Sequence, residues 1–203
     1  MGGFRFKQFA VEQDDVAMKV GTDGVLLGAW AACDGAKRIL DIGTGSGAIA
    51  VSLARRVSGA RVTAVDISDV ALEVARENAR RNGVSVSFVK ADALGDMSSL
   101  GEFDAIVSNP PYVPQSDLPT MHRNVRDFEP HTALFVPDDD PLLFYRSIAD
   151  NARRMLVDGG VLCFEIYELY GEQMCAMLRE RGFRDVSTVE DANLKERMVW
   201  CRK

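Results

Sequence analysis

The 203-residue sequence predicts an α/β fold in which a mostly parallel sheet is covered by helices on both faces. Two observations carry this expectation. Short apolar runs rich in β-branched residues alternate with helical stretches, and near-continuous hydrophobicity is what parallel strands buried on both faces require. A glycine-rich turn also separates the first such run from a helix, where open α/β sheets bind ligands. Hydrophobic residues make up 47% of the chain, enough to cover a sheet on both sides. The length suits a single domain spanning residues 1–203.

Taken in order, the runs at 38–43 (RILDIG), 61–66 (RVTAVD), 85–91 (SVSFVKA), 103–108 (FDAIVS) and 160–167 (GVLCFEIY) read as strands. Helical patterns fall at 47–57, 68–82, 141–156 and 170–181. Ser68 is a natural N-cap for the second of these, and Asn82-Gly83 a natural stop; Gly182 ends the last. Two further strands fit 183–190 and 196–202, joined by a short polar stretch into a hairpin. The result is a doubly wound, Rossmann-like sheet of seven strands, one of them antiparallel.

Two segments interrupt the rhythm. Residues 1–37 form an N-terminal appendage with an aromatic, basic start and a helix near 22–32. Residues 110–140 carry Pro110, Pro111, Pro114, Pro119, Pro130 and Pro137. A loop of that length inside a compact domain is usually functional, and it is expected to wall the substrate site.

Composition excludes several classes. No apolar run approaches the roughly 20 residues that span a bilayer, and the N-terminus lacks the apolar stretch of a secretion signal, so a cytoplasmic protein is expected. Cys33, Cys163, Cys175 and Cys201 are scattered without a C-x-x-C pair, and His122 and His131 have no cysteine nearby. No metal site is expected, and the thiols read as reduced and buried. A net charge of −6 leans away from extensive nucleic-acid contact, and the clusters Arg55-Arg56 and Arg153-Arg154 read as solvated helix faces. Trp30 and Trp200 are expected in the core.

The chemistry-bearing residues lie at successive strand ends. Asp41 opens the turn Gly43-Thr44-Gly45-Ser46-Gly47, whose glycines permit a sharp turn and close approach of a ligand to the backbone. Asp66, followed by Ile67, ends the second strand, where a carboxylate can bind both hydroxyls of a ribose. Asp92 and Ala93 follow the third, where methyltransferases of this class hold the adenine amino group. This ordered set points to S-adenosylmethionine, with S-adenosylhomocysteine as product. A nicotinamide oxidoreductase would share the turn and Asp66 but leaves the next motif unexplained. A binding module that has lost turnover is argued against by the same motif.

That motif is Asn109-Pro110-Pro111-Tyr112, at the end of the fourth strand. An amide or exocyclic amine is a poor nucleophile because its lone pair is delocalised. The Asn109 side-chain oxygen and the Pro110 carbonyl can each accept a hydrogen bond from the amino group, aiming its lone pair at the methyl carbon. Proline stiffens that carbonyl in place, and Tyr112 offers a flat face for stacking. Glu165 and Glu168 either line the pocket or sit at an exposed strand end. Arg126 and Glu129 shape the acceptor loop.

Residues 85–203 resemble the catalytic domain of the release-factor glutamine methyltransferases. The resemblance rests on SNPPYVPQSDLP, VRDFEPHTALFV, DDDPLLFYRSIADNARRML and GGVLCFEIYELYGE. It implies a class I S-adenosylmethionine-dependent fold and, as acceptor, the glutamine of a Gly-Gly-Gln loop in a peptide chain release factor. The N-terminal helical domain with which those enzymes grip their substrate has no counterpart in these residues. Residues 4–30 are instead similar to the start of tRNA adenine-N6 methyltransferases that modify an anticodon-loop adenine of valine tRNA. That likeness implies a cofactor cover bringing Lys19, Thr22 and Asp23 near the ligand. Both acceptors present an NH₂ on a flat conjugated system, so the motif serves either; protein glutamine is preferred and tRNA adenine is the alternative.

Overall fold

The computed structural model describes residues 3–5, 10–12, 22–120, 134–191 and 193–203. A short antiparallel pair, β1 (Gly3–Arg5) and β2 (Ala10–Glu12), precedes helix α1 (Thr22–Trp30). There follow β3 (Arg38–Ile42), α2 (Ala48–Arg56), β4 (Arg61–Asp66), α3 (Asp69–Arg81), β5 (Val86–Lys90) and β6 (Phe103–Ser108). The two-residue strands β7 (Val113–Pro114) and β8 (Phe135–Val136) pair in parallel within the proline-rich segment. The chain closes with α4 (Leu143–Met155), β9 (Leu156–Glu165), α5 (Gly171–Glu180), β10 (Arg184–Glu190) and β11 (Glu196–Arg202).

Seven strands form one sheet in the order β10-β11-β9-β6-β3-β4-β5. Only β11 runs against its neighbours, as the terminal hairpin requires. Alternation along the strands sends side chains to two cores. Leu40, Ile42, Ile106, Leu162 and Phe164 pack under α4 and α5, while Ile39, Ala105, Val107 and Cys163 pack under α1 and α2. All four cysteines are buried free thiols, and burial pushes Cys33 up to about 11 and Cys163 up to about 12.

The helix ends follow the local chemistry. Ser68 accepts from the Ala71 N–H at 3.2 Å, and Gly83, at φ +64°, ends α3 with Val84 N–H bonded back to the Ala79 carbonyl. Strand β9 begins at Leu156 rather than the expected 160. Leu156 pairs with Phe103, and the register irregularity that follows is tolerated because Gly160 has no side chain. A Cβ there would stand 2.9 Å from the Val157 carbonyl oxygen and 3.1 Å from that of Asp104.

Some expectations are corrected. Trp30 and Trp200 are half-buried against the α1/α2 core rather than inside it. Arg56 is not simply a solvated charge: its guanidinium donates to the Ala29 carbonyl at 2.6 Å and the Ala31 carbonyl at 2.5 Å, capping the end of α1. Lys19, His122, Arg126, Glu129 and His131 lie outside the described residues. Among the described residues, no helix is long and apolar enough to cross a membrane, and no group of His, Cys, Asp and Glu could hold a metal ion.

The N-terminal strand pair, which composition marks only as an appendage, is bound to α3 by a buried amide. Asn78 is fully buried; its Nδ2 donates to the Glu12 and Ser46 carbonyls at 2.8 Å each, and its Oδ1 accepts from the Glu12 N–H at 2.7 Å. Asn82 Nδ2 adds a bond to the Ala10 carbonyl, and Val11 is buried between them. Asn78→Ala would leave three backbone groups without this partner, a loss of about 2 kcal/mol. The expected result is a lower urea midpoint together with faster proteolysis ahead of α1. An unchanged midpoint would show that the clasp contributes nothing.

Candidate active site

The parallel pairing of β3 with β6 places Ile42 opposite Ser108, so the residues that follow, Gly43 and Asn109, leave the sheet side by side. Ser108 Oγ fixes this end by donating to the Ile42 carbonyl at 2.8 Å. The other end is held by Asp104 Oδ2, which accepts from the Lys37 and Arg38 N–H groups at 2.8 Å each. A Cβ on Gly43 would stand 3.8 Å from the Asn109 carbonyl oxygen. The glycine-rich turn and the acceptor motif therefore share one crevice.

The turn itself needs its glycines. Gly43, Gly45 and Gly47 all have left-handed φ angles of +73°, +54° and +80°. Gly47 additionally meets α3, where a Cβ would lie 3.0 Å from the Ala75 Cβ and 3.1 Å from its Cα. Around Gly45 a Cβ would meet nothing within 4 Å, so the outer surface of the turn faces space that a ligand can occupy.

Asp41 alternates with Leu40 and Ile42 and is carried into the interior, 0% exposed. Its Oδ2 accepts from Thr44 Oγ1 at 2.6 Å, while Oδ1 is buried with no hydrogen-bond partner among the described residues. Burial raises its pKa to about 7; the Thr44 hydroxyl pulls it down and the nearby Asp66 charge pushes it up. Asp66 braces the turn, since Oδ2 accepts from the Gly45 N–H and Oδ1 from the Ser68 N–H, both at 2.9 Å. Each oxygen keeps a second lone pair for a hydroxyl donor. The Ala91 N–H bonds to the Asp66 carbonyl, which keeps Asp92 beside Asp66 although β5 ends two residues earlier. Asp92 is exposed, with Oδ1 accepting from the Leu94 N–H; the Ala93 carbonyl accepts from Ser147 Oγ. Ile67 and Leu94, 62% and 45% exposed, follow these two carboxylates closely and give this end of the crevice apolar surface. Leu94 was not among the expected residues, because an isolated Leu in a polar turn carries no sequence signal.

At the acceptor motif, Asn109 Oδ1 is also buried with no partner among the described residues. Pro110 is buried, and Pro111 and Tyr112 are half-buried. The Tyr112 hydroxyl donates to Glu165 Oε1 at 3.1 Å, and its ring stacks on Tyr167 at 6.0 Å with an interplanar angle of 23°. Tyr167 donates to Asp117 Oδ2 at 3.2 Å and tilts against Tyr170, while Tyr145 donates to the Glu165 carbonyl at 2.9 Å. All four tyrosines of the chain thus gather around one strand end.

The two open readings resolve differently. Glu165 is 3% exposed and accepts from Tyr112; Glu168 is instead ion-paired to Lys195 at 2.9 Å and Arg197 at 2.8 Å. The backbone of Thr22 and Asp23 forms the first turn of α1, and their side chains lie outside the described part.

Comparison with known proteins bears on the family and the fold. The family profile of the methyltransferase small domain matches residues 21–127. The release factor glutamine methyltransferase of Bacteroides thetaiotaomicron is 46% identical over 169 residues, covering 83% of this chain and 61% of that protein. Its Flavobacterium psychrophilum counterpart is 44% identical, covering 80% and 57%. The chain therefore spans about three-fifths of the length of these relatives. The tRNA1(Val) (adenine(37)-N6)-methyltransferase of Proteus mirabilis is 35% identical, covering 96% of this chain and 74% of that protein. The crystal structure of a methyltransferase from Pyrococcus furiosus matches the fold with a TM-score of 0.70 at 20% identity, covering 95% of this chain and 88% of that one.

Buried Asp41 makes stability without ligand depend on pH. Its carboxyl titrates near 3.8 when unfolded and near 7 when folded, so the folded state holds a proton that the unfolded chain has released. This contribution is fully present below pH 4, falls as pH rises towards 7 and is absent above it, on the order of 4 kcal/mol in all. The urea midpoint is expected to drop between pH 5 and pH 7.5 more steeply in the parent than in Asp41→Asn. Parallel pH profiles for the two proteins would show that Asp41 is not the titrating group.

Proposed function

The chain belongs to the methyltransferase small domain family, and on that premise we propose that it methylates a planar amino nitrogen held by Asn109 and Pro110. One observation carries the reading: the buried Asn109 Oδ1 has no partner among the described residues, in a residue whose backbone carbonyl lies beside the glycine-rich turn. An unmet buried acceptor costs about 1–3 kcal/mol, which an incoming N–H donor would recover.

The residues suit S-adenosylmethionine. The orphaned Asp41 Oδ1 fits an ammonium or N–H donor, the left-handed glycines of the turn allow close backbone approach, and Asp66 retains lone pairs for ribose hydroxyls. Asp92 would accept from the adenine amino group, with Ala93 beside it and Ile67 and Leu94 supplying apolar surface. Thr22 and Asp23, with the N-terminal segment 1–37, would cover the site. When bound, the cofactor supplies a methyl group on a sulfonium, and loss of that group leaves S-adenosylhomocysteine.

The chain's own residues then do three things. Asn109 Oδ1 and the Pro110 carbonyl accept one N–H each, which holds the amino group as its nitrogen becomes pyramidal. Pro110 and Pro111 stiffen the backbone, so the acceptors are in place before reaction. Tyr112 stacks on the conjugated plane. No strong base is required, because positioning supplies the main part of the barrier reduction.

The preferred acceptor is the side-chain amide of the glutamine in a Gly-Gly-Gln loop of a peptide chain release factor. The identities of 46% and 44% to release factor glutamine methyltransferases support it, as does the net charge of −6. The second reading, an anticodon-loop adenine of valine tRNA, is favoured by the Proteus relative, whose match covers 96% of the chain. Either reaction is a cytoplasmic one.

Purified protein with methyl-labelled S-adenosylmethionine separates these. Label in the release factor, lost when the loop glutamine is replaced, is the expected result; label in unmodified valine tRNA alone would overturn the preferred acceptor. Asn109→Ala is expected to lower turnover at least about a hundredfold while S-adenosylhomocysteine still binds, measured by calorimetry. Turnover within a few-fold of the parent would remove Asn109 from the mechanism.

A further inference from the structure

We propose that Glu165 is a positioning residue: its buried carboxylate fixes the plane of the Tyr112 ring, and through that ring the angle at which the acceptor lies. The inference rests on the methyl-transfer reading of residues 109–112 and adds to it the element that orients the stacking face.

Tyr112 follows two prolines on a segment leaving the sheet and packs, half-buried, against the edge of the α4/α5 core. A half-buried ring can change its χ angles unless its far end is held. Here the far end is tied down, because the hydroxyl donates to Glu165 Oε1 at 3.1 Å.

Glu165 is itself held firmly. It is the last residue of β9, pairs with Met198 of β11, and its carbonyl accepts from the buried Tyr145 hydroxyl at 2.9 Å. It stands 3% exposed between Phe164 and Ile166, both fully buried. A carboxylate in that setting is costly to desolvate, so an apolar residue would make a more stable strand end. What the glutamate adds is an acceptor aimed at Tyr112.

A second tie fixes one face of the ring. Tyr167 stacks on Tyr112 at 6.0 Å, and its hydroxyl reaches Asp117 Oδ2 in the 3₁₀ turn that follows β7. With its edge held by Glu165 and one face against Tyr167, the ring is fixed in the plane on which a planar acceptor would stack. In this scheme Glu165 acts on the acceptor through Tyr112.

The test uses the full chain carrying Glu165→Gln, Glu165→Leu, Glu165→Asp, Tyr112→Phe and the Glu165→Leu/Tyr112→Phe pair. Readouts are kcat and KM for whichever acceptor takes label, S-adenosylhomocysteine affinity, and ¹⁹F spectra of 3-fluorotyrosine-labelled protein. With four tyrosines, the Tyr112 signal is assigned by its loss in Tyr112→Phe. Glu165→Gln keeps an acceptor oxygen and is expected within about twofold of the parent, with the Tyr112 signal unmoved. Glu165→Leu, and Glu165→Asp should the leucine variant not fold, are expected to lose about tenfold in kcat/KM and to shift that signal. Tyr112→Phe should lose the same, the double variant no more than either single, and cofactor-product affinity should not change. Multiplicative losses, a parallel fall in S-adenosylhomocysteine affinity, or an unmoved Tyr112 signal in both Glu165→Leu and Glu165→Asp would overturn the proposal. If no acceptor takes label, the methyl-transfer reading falls, while the ¹⁹F signal still decides whether Glu165 sets the ring.

Discussion

The register of β3 against β6 is the constraint on which the site depends. Two parallel strands are pinned at one end by Asp104 and at the other by Ser108, so their next residues, Gly43 and Asn109, must emerge together. In a pleated sheet a slip of one residue would reverse the direction of every side chain. It would carry Leu40, Ile42 and Ile106 out of the α4/α5 core and Asp41 into it. Core packing thus enforces the register, and the register places the glycine-rich turn beside the acceptor motif. Chemistry at this crevice is stabilised by apolar contacts that lie underneath it.

The energetic pattern agrees with this division of labour. Elsewhere the local rules are satisfied: helix α3 has its serine cap and glycine stop, α1 has Arg56 on its last carbonyls, and Asn78 uses its amide on three backbone groups. At the crevice the rules are broken. Asp41 is carried into an apolar interior that raises its pKa to about 7, and Asn109 Oδ1 is shut away from water. Local violations that persist in an otherwise consistent fold are expected where function needs them. A ligand bearing an ammonium or N–H near Asp41 and an amino group near Asn109 would relieve both.

Much of this was legible in the sequence because it depends on periodicity and on strand ends. A seven-stranded, mostly parallel sheet with one antiparallel strand follows from alternating elements and a terminal hairpin, and Asp41, Asp66, Asp92 and Asn109 draw notice as polar residues at or just beyond the ends of apolar runs. What was not legible depends on contacts distant in the chain. Glu165 reads equally well as an exposed strand end, since nothing adjacent reveals that Tyr112, 53 residues earlier, bonds to it. Asn78 looks like any polar residue late in a helix; its partners Glu12 and Ser46 are 66 and 32 residues away. Tyr167 and Tyr170 lie in the stretch GGVLCFEIYELYGE, but only the fold shows that Tyr167 stacks on Tyr112 with Tyr170 tilted against it.

The surroundings of the acceptor motif bear on which planar amine it serves, a question that Asn109 and Pro110 leave open. Tyr167 is hydrogen-bonded to Asp117, and the Ser116 N–H bonds to Asp138 Oδ1 at 2.8 Å, which brings both carboxylates to this rim. Burial first, then the charges of Asp117 and Asp138, hold the Tyr170 phenol above its usual pKa, as expected where negative potential collects. The neighbouring cation Arg146 is ion-paired with Asp140. Among the described residues, a phosphate backbone threading past Tyr112 would meet Asp138, and like charges repel. A peptide loop carries no such charge on its backbone. It can lay a glutamine amide on the Tyr112 ring without that penalty, so the charges described at the rim support the proposed protein acceptor independently of sequence likeness.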